Sequence, residues 1–163
     1  MDARHAATVR EAVARWEGPL ARYAGRILAD PERGRDLAQE AFLRLCGQDP
    51  DPLEGRMAEW LFAVVRNLAV DVLRKEGRMK RLEDMDPGTE PDATAPEAGM
   101  ERREASSALA RAMALLPFPQ QEVLRLKFQE GMSYRAISQV TGHSTGNVGF
   151  LIHAGLKALR QTA

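Results

Sequence analysis

The chain has 163 residues, 44% hydrophobic and only 6% aromatic, with 23 Lys/Arg against 23 Asp/Glu. That length holds one ordinary domain or two small ones, and a composition led by Ala, Leu, Arg and Glu favours helices over a β-sandwich. No stretch approaches the ~18 apolar residues of a membrane span, the start MDARHAATVREAVARWEG lacks the apolar core of a secretory signal, and the single cysteine, Cys46, cannot close an intrachain disulfide, so a cytoplasmic protein with no membrane contact is expected.

The zero net charge hides an uneven distribution. Residues 1–82 hold 15 Lys/Arg and 13 Asp/Glu, residues 83–101 hold 7 acids and no base, and residues 102–163 hold 8 bases and 3 acids. Two basic ends therefore flank an acidic middle.

In chain order, Val13, Trp16, Leu20, Tyr23, Ile27 and Leu28 recur at steps of three and four, which predicts an amphipathic helix. Asp30-Pro31 breaks it. DLAQEAFLRL (36–45) predicts a second helix, with Leu37, Ala41 and Leu45 on one face and Asp36 at its cap or in its first turn. GQDPDPLEG (47–55) is a turn-rich loop. A third helix is predicted from near Met57 to about Arg81, with Leu61, Val64, Val65, Leu68, Val72 and Leu73 turned inward. Opposite them Asn67, Asp71, Arg74 and Arg78 form a polar stripe, thickened by Arg66, Lys75, Lys80 and Arg81. Such cations neutralise phosphates and such an asparagine hydrogen-bonds a base edge; an ordinary solvated face fits the same spacing. Residues 83–101, with Pro87, Pro91 and Pro96, cannot bury a core and read as an extended linker.

The second half predicts a helix around 104–115, ended by Leu116-Pro117-Phe118-Pro119, and another over QQEVLRLKFQE (120–130), closed by Gly131. Ser133 can cap YRAISQV, Gly142 turns the chain, and Ser144 can cap a last helix to about Arg160. Ile137, Val140, Val148, Leu151 and Ile152 supply an inward face, and the small Ala136 lets two helices approach. This is the helix-turn-helix pattern, whose second helix offers its N-terminal residues to the major groove, although a plain helical hairpin has the same spacing. Catalysis finds no support: His5, His143 and His153 are scattered and have no metal-ligand spacing with Cys46. No phosphate loop, nucleophile elbow or HExxH occurs. No enzyme, metal or cofactor is expected.

Taken in order, three segments resemble the extracytoplasmic-function group of bacterial RNA polymerase sigma factors, within the superfamily of the primary sigma factors. DLAQEAFLRL (36–45) resembles its second conserved region, WLFAVVRNLAVDVLRKEGR (60–78) its promoter-melting helix, and LPFPQQEVLRLKFQEGMSYRAISQVTGHSTGNV (116–148) its C-terminal region. The resemblance implies an all-α fold of two small helical domains joined by a flexible acidic linker, the C-terminal one a helix-turn-helix. The implied bounds are 1–82 for the first domain, 83–103 for the linker and 104–163 for the second domain.

It further implies partners: the largest-subunit clamp and the beta-flap of core polymerase, promoter DNA, and an anti-sigma factor. Asp36, Leu37, Gln39, Glu40, Phe42 and Leu43 match the polymerase-binding surface. Asn67 matches the pocket for a flipped non-template base, walled by the loop 47–58, and Asp71, Arg74, Lys75 and Arg78 continue along the strand. Trp60 matches a family tryptophan and reads as core more than contact. The linker would thread a cationic channel of the polymerase.

The recognition helix departs from the family. After Gly-x-Val the family carries a basic residue, Ser and then Arg, whereas this chain runs Gly149-Phe150-Leu151-Ile152-His153-Ala154-Gly155-Leu156. Arg135, Ser144, Thr145, Asn147, Phe150, His153 and Lys157 remain as candidates, with Phe150 suited either to a thymine methyl or to a protein surface. Two other readings stay open: a stand-alone helix-turn-helix regulator, and a degenerate sigma-like interaction protein.

Overall fold

Seven α-helices account for nearly all the described residues, which in this computed structural model are 1–79 and 101–162; no strand occurs among them. The fold is all-α, as composition and periodicity predict. The expected linker lies outside the described residues as far as residue 100, while 101–103 begin a helix. Lys80 and Arg81 also lie outside them.

Helix α1 (Ala3–Leu28) starts where Asp2 accepts a hydrogen bond from the His5 backbone N–H at 2.7 Å, and it buries Val9, Ala12, Leu20, Tyr23, Ala24, Ile27 and Leu28. It ends at Ala29, which takes the left-handed conformation (φ 53°). Asp30 then caps α2 (Pro31–Cys46) by accepting from the Glu32 and Arg33 N–H groups, with Pro31 in the first helical position. One dipeptide thus stops one helix and starts the next. Asp36, expected at a helix start, sits in the second turn instead.

The α1–α2 hairpin is unusually close. A Cβ on Gly34 would lie 2.5 Å from the Ala21 carbonyl oxygen and 2.5 Å from the Gly25 nitrogen, so only a glycine lets the two backbones touch. A 3-10 turn at Asp51–Leu53 then drops Leu53 into the core and leads to α3 (Met57–Lys75). Of the predicted inward residues, Leu61, Val65 and Leu73 are fully buried, and Val64, Leu68 and Val72 flank them, half-buried.

The third helix is shorter than its sequence predicts. It stops at Lys75, and Gly77 is left-handed (φ 72°). The turn re-aims Arg78, which does not continue the stripe of Asn67, Asp71 and Arg74. It donates to the Leu28 carbonyl at 3.1 Å and to Glu76 at 3.2 Å, and is half-buried. Glu76 also pairs with Arg33 at 2.6 Å. Hydrogen bonds from Arg33 and then Arg78 hold the Glu76 carboxyl below its usual range.

In the second half α4 (Glu101–Ala114) is followed by α5 (Phe118–Leu124), which has Pro119 in its first turn. The helix predicted to reach residue 130 loosens into a π-type turn at Arg125–Gln129: the Glu130 N–H reaches the Arg125 carbonyl at 3.2 Å and the Met132 N–H the Leu126 carbonyl at 3.0 Å. Ser133 caps α6 (Tyr134–Thr141), left-handed Gly142 (φ 84°) makes the turn, and Ser144 accepts from the Asn147 N–H at the start of α7 (Thr145–Thr162). Helices α5 and α6 both pack on α7, and α6 also packs on α3. Tyr23, Leu61 and Val65 from the first half therefore share one apolar core with Val123, Leu126, Ile137 and Val148 from the second.

Gly34→Ala should destabilise the protein by about 1–3 kcal/mol, because the methyl meets backbone that cannot yield. Gly146→Ala, into open space within a helix, should be neutral or stabilising; the midpoints of urea denaturation compare them. Glu76 supplies a pH test. Because its folded pKa is lowered, its stabilisation is present above the unfolded carboxylate value and is lost as pH falls through the folded value. The gap in Tm between the wild type and Glu76→Gln should be open near neutral pH and close in strong acid.

Candidate nucleic-acid interface

Two polar surfaces follow from these elements. On α3 the buried side fixes the opposite side, where Asn67, Asp71, Arg74 and Lys75 are all exposed. Three members of the expected stripe thus lie together in solvent with Lys75 beside them, and Arg78 does not join them. On α7 the burial of Val148, Ile152 and Gly155 turns Ser144, Thr145, Asn147, Phe150, His153 and Lys157 outward; Arg135, from α6, is exposed as well.

Of the loop 47–58, expected to wall a base pocket, Leu53 and Arg56 border a cavity of about 290 Å³ beside α3. Leu53, Arg56, Glu59, Trp60 and Ala63 surround it, and Gln139 of α6 completes its rim. Asn67 lies one turn beyond Ala63 and is not part of the lining. Trp60 is half-buried and packs against the core while facing this cavity.

The residue that joins the two surfaces is Glu122 of α5, which the sequence did not single out. Its side chain is 1% exposed. It accepts from Arg66 of α3 through a two-point fork, Nε to Oε1 and Nη2 to Oε2 at 3.4 Å. His143, in the helix-turn-helix turn, places Nε2 3.4 Å from Glu122 Oε2 without hydrogen-bond alignment. The chain of contacts continues at both ends. Arg66 Nη1 donates to Asn67 Oδ1 at 3.1 Å, and the Asn147 amide reaches His143 Nδ1 at 3.4 Å. Asn147, His143, Glu122, Arg66 and Asn67 thus form one polar path from α7 to α3. A glutamate inside an apolar EVL run carried one available signal: on the helix it falls beside Val123 and Leu126, which are buried.

A second ionic contact lies nearby. Glu130, half-buried, is 3.9 Å from Arg26 of α1, and burial pushes its carboxyl above the usual range, opposed by Arg26 and Arg22. Tyr23 sits fully buried between these groups with its ring against Phe62 (centroids 5.2 Å apart). Its hydroxyl has no hydrogen-bond partner among the described residues, and burial, with Glu122 nearby, raises it far above the phenol range, so it stays neutral.

The residues that match a polymerase-binding surface divide by burial. On α2, Asp36, Gln39 and Leu43 are exposed, Leu37 and Glu40 half-buried, and Phe42 lies in the core. Leu43 is 66% exposed, a large apolar side chain in a polar setting. Glu40 pairs with Arg44 at 3.4 Å. No helix among the described residues is long and apolar enough to cross a membrane.

Comparison with known proteins gives two family matches: "Sigma-70 region 2" over residues 12–79 and "Sigma-70, region 4" over residues 106–159. The chain is 30% identical over 149 residues to the ECF RNA polymerase sigma factor SigL of Mycobacterium tuberculosis, an alignment covering 88% of this chain and 81% of that one. It is 28% identical over 146 residues to the ECF RNA polymerase sigma factor SigW of Bacillus subtilis (83% and 78%). With the ECF RNA polymerase sigma factor RpoE of Cereibacter sphaeroides it shares 32% identity over 113 residues (68% and 60%).

Arg66→Ala strands the buried Glu122 carboxylate and should cost about 3 kcal/mol. Arg66→Ala combined with Glu122→Gln should recover part of that loss, since the amide carries no charge. Urea denaturation of the two variants checks the order; equal stability would show that the charge is not what is left uncompensated.

Proposed function

Because this chain belongs to the extracytoplasmic-function family of RNA polymerase sigma factors, and so directs transcription initiation, we propose that it opens promoter DNA with α3 while holding core polymerase with α2. The polymerase supplies the chemistry; this chain supplies selectivity, acting in the cytoplasm where the polymerase works. Residues 1–82 form the unit that binds polymerase and the minus-ten element, 83–103 the connection, and 104–163 the helix-turn-helix unit. The clamp of the largest polymerase subunit receives α2, the beta-flap receives the second unit, and an anti-sigma factor restrains the protein.

The observation that carries the reading is the exposed set Asn67, Asp71, Arg74 and Lys75, opposite the buried face of α3. Unstacking a base costs a few kcal/mol, so an opening helix needs groups that bond the freed strand. Asn67 offers both a donor and an acceptor to a flipped base edge, and Arg74 and Lys75 neutralise the phosphates that follow. Arg78, turned onto the Leu28 carbonyl, supports the end of the helix in this arrangement. On α2 the exposed Leu43, among Asp36, Gln39 and Glu40, supplies the apolar anchor on which a protein interface depends. Phe42 supports it from within the core.

The full chain mixed with core polymerase should co-elute with it, and the complex should render promoter thymines reactive to permanganate. Asn67→Ala and Arg74→Ala should each lower opening by about ten-fold with co-elution unchanged. Normal opening by both variants would rule out α3 as the melting helix. Duplex binding without polymerase association would favour a stand-alone regulator.

A further inference from the structure

The surface of α7 has a chemistry suited to some bases and not to others. Asn147, Phe150, His153 and Lys157 are exposed and follow one another along the helix at steps of three and four. Phe150 is 69% exposed, while Val148 and Ile152 on the opposite side are buried. From Ser144 to Leu156 there is no Lys, Arg, Asp or Glu. Lys157 comes about 18 Å further along the helix than Thr145, the distance of a flanking phosphate rather than of the central base pairs. The space at Gly146 is open, and the space at Gly149 is bordered by the uncharged Tyr134 ring, 3.3 Å from the Cβ position.

Guanine presents two acceptors in the major groove and is read chiefly by Arg or Lys; adenine presents an acceptor and a donor that match a carboxamide; thymine alone presents a methyl group. Asn147 has the carboxamide, and its amide nitrogen lies 3.4 Å from His143 Nδ1, which limits its orientation. Phe150 has the apolar surface. No group on the first three turns of α7 has the charge that guanine calls for.

We propose that α7 reads an A·T element in the upstream part of the promoter, Asn147 on adenine and Phe150 on a thymine methyl, with no guanine contact. This rests on the sigma-factor reading of the preceding subsection. Affinity comes from apolar and neutral polar contacts, so the salt dependence contributed by this helix is shallow.

The test uses the full chain with core polymerase and a library of promoter fragments randomised across the upstream (minus-thirty-five) segment, recovered by open-complex formation. The expected selection has a fixed thymine and neighbouring adenine and no fixed guanine. The winning promoter is then rebuilt with deoxyuridine for thymine in that segment alone, which removes only methyl groups. Opening should fall about five-fold, and Phe150→Ala should fall to the same level on the thymine template and be indifferent to deoxyuridine. A fixed guanine, an unselected upstream segment, or no methyl effect would overturn the proposal while leaving opening by α3 intact. A complex that opens no fragment overturns the proposed promoter opening and this proposal together.

Discussion

Glu122 and Arg66 form a buried ion pair between the two halves of this protein. Glu122 is withdrawn from water, and a bare carboxylate there would cost several kcal/mol. The cost is met because Arg66 crosses from α3 and forks onto it with two donors. The apolar core closes around this arrangement, so Tyr23, Leu61 and Val65 can share one interior with Val123 and Ile137. Polar contacts of this kind are demanding about geometry in a way that apolar packing is not. They select one docking among the many that two greasy helical surfaces would permit.

The same contacts connect the two surfaces proposed to meet DNA. Asn67 and Asn147, on separate helices and eighty residues apart in sequence, are the two ends of a path of side chains in contact. The orientation of either carboxamide therefore depends in part on groups anchored in the other half. The buried Tyr23 hydroxyl, without a partner among the described residues, and the half-buried Glu130 near Arg26 add polar groups that this interior satisfies incompletely.

Much of the fold is legible in the sequence because it is written locally. Ser133 and Ser144 cap the helices they precede, Asp30-Pro31 divides α1 from α2, and the burial of Ile137, Val140, Val148 and Ile152 follows their spacing. What sequence reading misses depends on distant partners or on one backbone angle. Gly77 turns the chain out of α3, so Arg78 leaves a stripe that periodicity alone would continue. The π-type turn at Arg125–Gln129 looks like an uninterrupted helix in sequence. Phe42 fits a contact motif yet packs inward. Glu122 resembles any solvated glutamate until Arg66, 56 residues away, is brought to it. On the candidate site, the exposed positions of α3 and α7 follow from which residues are apolar; the link between them does not.

The touching backbones at Gly34 bear on how α2 meets another molecule. Where helices are separated by long side chains, a hairpin can roll or slide by small rotamer changes, and a partner must freeze that freedom when it binds. At Gly34 there are no side chains to rearrange: peptide lies against peptide, with Ala21 and Gly25 as the opposing wall. The outward row of Asp36, Gln39 and Leu43 is carried on a helix whose pitch and depth are set before any encounter. Less conformational entropy then remains to be lost on association, and dissociation becomes slower for the same set of contacts. A residue with no side chain, turned away from the surface, in this way fixes the helix that a partner on that face would meet.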